Sequence, residues 1–89
     1  MWYTSSDGRI NLQMTKAQAQ SAMHPGDCEH DVRALMQEPK IARQLRKLNP
    51  EDVKRELDGY GAWDDDELAD HEMNLVRLVW LAAGDILET

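Results

Sequence analysis

One cysteine, Cys28, occurs in the 89 residues. No internal disulfide can form, and a lone thiol fits a reducing cytosol. Long apolar runs are also missing. The longest, Leu78-Val79-Trp80-Leu81-Ala82-Ala83, has six residues, against the roughly 20 that a membrane-spanning helix needs. The opening Met1-Trp2-Tyr3-Thr4 lacks a basic region followed by an apolar one, so no signal peptide is expected. No GxSxG, GxxxxGK[ST] or GxGxxG occurs, so the common hydrolase elbow, P-loop and dinucleotide cradle are excluded. Basic side chains are the minority, 10 against 17 acids for a net charge of -7. That balance runs against the electrostatic footprint of a nucleic-acid binder.

What is present suffices for a folded unit. Hydrophobic residues make up 42%, too many for a disordered tail, and the length suits one domain over residues 1–89. The fold class expected is mainly α with a small β part. Residues 1–14 read as a β-hairpin: Trp2-Tyr3-Thr4 is rich in strand formers, and Asp7-Gly8 is a tight-turn signal. Ile10-Asn11-Leu12-Gln13-Met14 alternates apolar and polar with period two. A lone hairpin is marginal in water, so Ile10, Leu12 and Met14 must lie against helices.

Short helices are expected over residues 15–63. Thr15 caps the first, Lys16 to Met23, and His24-Pro25-Gly26 ends it. Asp27 caps a second, with Val32, Leu35 and Met36 on its inner face. Pro39 opens a third, on which Ile41, Ala42, Leu45 and Leu48 share a face. Asn49-Pro50-Glu51-Asp52 starts a fourth, Val53 and Leu57 face inward from it, and Gly59 is expected to stop it in the left-handed conformation. Asp64, with Glu67 as capping-box partner, is expected to start a long helix from about Asp65 to Glu88. Its apolar residues reach more than halfway round, so it should be the central helix with the other elements packed about it.

The charges are unevenly distributed. Residues 40–55 carry six basic and two acidic side chains, whereas residues 56–72 carry eight acids and no Lys or Arg. Acids at the start of a helix serve its dipole, but eight in so short a stretch repel one another and cost folding stability. A second explanation is a face that docks on a basic surface, speeding encounter and selecting partners. The candidate partner-binding residues are Asp58, Tyr60, Trp63, Asp64, Asp65, Asp66, Glu67, Asp70 and Glu72. Tyr60 and Trp63 are the candidate anchors, because aromatics amid charge are typical of binding hot spots; both would instead suit a core beside the central helix.

Other chemistry finds less support. His24, Cys28, His30 and His71 would make a CysHis3 set tolerable for zinc, but the spacing matches no zinc signature and no CxxC is present. No catalytic residues and no cofactor are expected. Asp70-His71-Glu72 are helix neighbours pointing about 100° apart and make no dyad. Cys28 as a nucleophile would need a paired base and a lowered pKa.

Several stretches together resemble a family of uncharacterised small acidic proteins encoded by phages and prophages of Gram-negative bacteria, Pseudomonas among them. They are Asp7 to Ala19, His24-Pro25-Gly26, Ile41-Ala42-Arg43-Gln44-Leu45, Tyr60-Gly61-Ala62-Trp63-Asp64 and Ala82-Ala83-Gly84-Asp85-Ile86. The resemblance implies no activity and no catalytic residues. It implies a setting, the cytoplasm of a bacterial host, and a non-enzymatic accessory protein that binds and inhibits a host protein or complex. That partner would have a basic surface and could itself bind nucleic acid; an anti-CRISPR or anti-defence role follows by analogy alone. The alternatives are a structural phage protein that self-associates through Trp80, Leu81 and Leu87, and a small zinc protein. No membrane partner is expected.

Overall fold

A β-hairpin and five helices make up the described residues, in the order β1 (Trp2–Thr4), β2 (Asn11–Gln13), α1 (Lys16–Ala22), α2 (Cys28–Met36), α3 (Pro39–Arg46), α4 (Pro50–Tyr60) and α5 (His71–Glu88). The structure is a computed structural model and describes residues 1–24, 28–60 and 69–88.

The two strands pair antiparallel, with Trp2 opposite Gln13, Tyr3 opposite Leu12 and Thr4 opposite Asn11. Gly8 closes the turn at φ 74°, a conformation that a side chain would strain. The Ser5 hydroxyl donates to Asp7 Oδ1 at 2.7 Å, and Asp7 Oδ1 also accepts from the Arg9 backbone at 3.1 Å. The period of two puts Tyr3 and Leu12 on the covered face, flanked by Ile10 and Met14, all buried as expected. Gln44 of α3 closes the free edge: its side chain accepts from Gln13 N at 2.6 Å and donates to Gln13 O at 2.8 Å. One amide side chain thus takes the place of a third strand at an otherwise open edge.

Local capping chemistry sets most helix starts. Thr15 and Gln18 form a reciprocal capping box on α1. Pro39 stands in the first turn of α3, where its missing N–H costs nothing. Asn49 Oδ1 accepts from Glu51 N at 2.9 Å at the start of α4. Two boundaries differ from the sequence expectation. Gly59 does not stop α4, which continues to Tyr60; Gly8 is the one described glycine with a positive φ. The long helix starts at His71, not near Asp65, because Ala69 lies in a turn and Asp70 is the cap. Asp70 Oδ1 accepts from Glu72 N at 3.0 Å and Met73 N at 3.3 Å. The proposed Asp64 cap with Glu67, and the Asp27 cap, lie outside the described residues.

Helix α5 is the axis of the fold. It packs against α1, α2, α4 and β1. Val76, Leu78, Val79, Ala82, Ala83 and Ile86 are buried along it. The α1 contact is the most extensive and brings Ala19 and Ala22 toward a helix bearing Ala82 and Ala83, all four fully covered; residues this small permit close helix approach. The buried side chains form one cluster. The radius of gyration, 12.0 Å, agrees with the about 12 Å of a single globule of this length.

Candidate functional site

Of the eight acids in residues 56–72, Glu56, Asp58, Asp70 and Glu72 are described, and these four play different parts. Glu56 is buried, with 7% exposure. It lies on the α4 stripe that also carries Val53, Leu57 and Tyr60, at helical spacings of three and four. Its Oε1 accepts from Tyr3 Oη at 2.8 Å, and its Oε2 accepts from Ser6 Oγ at 3.1 Å and Ser6 N at 3.3 Å. These bonds tie α4 to the hairpin and remove one carboxylate from the surface. Burial first, then hydrogen bonding with Tyr60 and with Glu56, holds the Tyr3 phenol far above its ordinary pKa of 10.0.

Of the partner-binding candidates, Asp58, Tyr60, Asp70 and Glu72 are described; Trp63, Asp64, Asp65, Asp66 and Glu67 lie outside the described residues. Asp70 is occupied as the α5 cap. Glu72 Oε1 lies 2.6 Å from Arg33 Nη1, and the same guanidinium reaches Glu29 at 3.1 Å, so Glu72 links α5 to α2. Asp58 is exposed and shares a shallow depression with Glu51, Lys54 and Arg55. Tyr60 ends α4 at 52% exposure, on the surface and not in the core.

Sequence reasoning did not find the groove beside Tyr60. It has a volume of about 270 Å³ and is lined by Tyr60, Met23 at the end of α1, and Trp80, Leu81 and Gly84 of α5; Asp85 and Glu88 complete its lining. Trp80 is 39% exposed. Leu81 and Leu87, which a self-association seam would have used with Trp80, are partly buried and packed against the core.

Two features of this groove depart from what helix stability favours. Asp85 and Glu88 sit near the negative end of α5, whose last turn holds no basic residue. Each acid placed there opposes the helix dipole by about 0.3–1 kcal/mol. Gly84 is inside the helix, where glycine costs about 0.5–1 kcal/mol relative to alanine. Packing does not demand glycine, since an added Cβ would meet only Met23 Cε at 3.9 Å, an ordinary contact. Natural proteins break such local rules at functional or strained sites. Gly84→Ala is therefore expected to raise stability by roughly 0.5–1 kcal/mol while narrowing the groove; thermal melting checks the first effect and binding the second. The signal was legible: acids and a glycine in the last turns of an otherwise apolar helix.

The zinc set is not assembled among the described residues. No group of three or more His, Cys, Asp or Glu side chains there is placed to hold a metal ion, and the Cys28 side chain lies outside the description. No described helix is long and apolar enough to cross a membrane. No known protein family, curated protein or solved structure matches the chain.

Proposed function

We propose that the chain is a non-enzymatic binding protein that docks on a basic surface of another protein through the face where α4 ends and the last turns of α5 lie. The observation that carries this reading is the pairing of exposed Tyr60 and Trp80 around a groove that Asp85 and Glu88 also line. Large exposed aromatics supply contact area, and surrounding acids steer a cationic partner and reject an anionic one. The resemblance described above supplies the setting: a phage or prophage accessory protein in the bacterial cytoplasm, acting on a host protein or complex in the manner of anti-defence proteins. A net charge of -7 opposes self-association at the same face, since copies would repel.

The test is comparative capture from a lysate of a Gram-negative host. The wild-type chain is set beside the double variant Asp58→Lys, Glu88→Lys and beside Tyr60→Ala. These sites spare the Asp70 cap, the Arg33 pairs and the buried Glu56. A basic protein is expected to be retained by the wild type and lost, by about tenfold or more, from both variants at low salt. Equal recovery of every captured protein by all three chains would count against the proposal.

A further inference from the structure

We infer that two copies of the chain pair through the outer edge of β1, joining their hairpins into one four-stranded antiparallel sheet. The inference is independent of the docking role proposed above and uses a different face. Two hydrogen bonds across the hairpin, Ser5 N to Ile10 O at 2.9 Å and Met14 N to Met1 O at 3.0 Å, fix which residue pairs are bonded. Bonded and non-bonded pairs alternate along an antiparallel ladder. Trp2–Gln13 and Thr4–Asn11 are therefore the non-bonded pairs, and their N–H and C=O groups point away from the opposite strand. Gln13 demonstrates this on the β2 side, where its N–H and C=O both turn outward to Gln44. On the β1 side Trp2 and Thr4 turn two N–H and two C=O groups outward. None of these four has a partner among the described residues.

The two edges are treated differently. Gln44 blocks β2 at Gln13, whereas β1 lacks the usual guards of an open edge: Trp2-Tyr3-Thr4 holds no Lys and no Pro, and no bulge interrupts its register. Trp2 is instead the most exposed of the described large hydrophobic side chains, at 61%. An open edge accepts an added strand, and this one suits its own copy. In a two-fold antiparallel pairing centred on Tyr3, Trp2 lies opposite Thr4 of the second copy, and all four outward groups of each β1 are bonded. Each Trp2 then meets a Thr4 across the strands, a favourable aromatic and β-branched pair. Charge selects the occupant. The exposed face of the hairpin consists of Trp2, Thr4, Asn11 and Gln13, all uncharged, in a chain with 30% charged residues. A charged foreign segment finds no counter-charge here, and a second copy of net charge -7 meets less repulsion here than at an acidic face.

The experiment is sedimentation of the full chain from about 5 μM to about 1 mM, with amide hydrogen exchange at both ends of that range. A reversible dimer is expected with a Kd of roughly 10–100 μM, as suits a small interface. The Trp2 and Thr4 amides should exchange about fivefold more slowly at the high concentration, while the Asn11 amide, outward on β2, stays unchanged. Trp2→Lys should weaken the dimer about tenfold or more and leave the melting point of the dilute chain within about 2 °C, because the side chain is on the surface. Salt raised from roughly 30 to 300 mM should tighten the dimer about threefold, since like-charged copies then repel less. Charge-steered docking has the opposite salt response, so the two readings fail separately. A chain that stays monomeric to about 1 mM would overturn the inference. So would a dimer whose Trp2 and Thr4 amides exchange as fast as in the dilute chain, or protection of those amides only by a different protein, which would make the occupant a foreign strand.

Discussion

Replacing Leu78 with alanine is expected to remove about 3 kcal/mol of stability, within the range of about 2–5 kcal/mol for a fully covered leucine. Leu78 has no exposed surface and lies midway along α5, the helix that packs against α1, α2, α4 and β1. Truncation leaves a cavity that the surrounding helices fill only in part, so the loss exceeds the simple transfer of three carbons. For a domain whose total is roughly 5–15 kcal/mol, the expected fall in Tm is on the order of 15 °C. Trp80, two residues along the same helix, is the control. It is larger but surface-exposed, and Trp80→Ala should cost less than about 1 kcal/mol. Urea unfolding of both variants checks the contrast. Similar losses would mean that Trp80 is a core residue and that the groove is filled by the protein itself.

Glu56→Ala should cost roughly 1–3 kcal/mol, because it takes the carboxylate acceptor from the buried Tyr3 hydroxyl, while the exposed Ser6 donors turn to water. Replacing the pair is gentler than breaking it. The double variant Tyr3→Phe, Glu56→Leu should be more stable than the sum of its single changes predicts, by about 1 kcal/mol or more. Alkaline pH gives an independent check. Up to about pH 10 the Tyr3 phenol is neutral in both folded and unfolded chains, and its contribution is intact. Above that the unfolded chain loses the proton while the folded one keeps it, because the folded pKa is raised. Stability should therefore fall as pH rises beyond about 10, and Tyr3→Phe should flatten that slope. An unchanged slope would mean that Tyr3 is not buried against Glu56.

Much of the scaffold was legible from local chemistry. Thr15, Pro39 and Asn49 signal helix starts by hydrogen-bonding rules that act within three residues, and the hairpin follows from Gly8 and a period of two. What escaped depends on distant partners. Glu56 looks like one more surface acid until the hairpin folds over α4 and supplies three donors. The α5 start moved because Asp70 offers a cap equal to Asp64 in local terms, and pattern alone cannot rank two good caps. Gly59 stays helical because glycine permits the left-handed stop without requiring it. The acidic run reads as one face in sequence; of its described members Glu56 is buried, Asp58 is exposed, Asp70 caps and Glu72 pairs with Arg33. The groove carries its acids from the other end of α5, beyond the stretch that drew attention.

A Tyr60–Trp80 face that meets its partner through charge and aromatic contact has a kinetic signature. The most direct measurement is the association and dissociation kinetics of the captured host protein with the purified chain across ionic strength. The prediction is an association rate that falls at least about tenfold between roughly 30 and 300 mM salt, together with a dissociation rate that rises about a hundredfold in Trp80→Ala. An association rate indifferent to salt, with wild-type dissociation in Trp80→Ala, would contradict it.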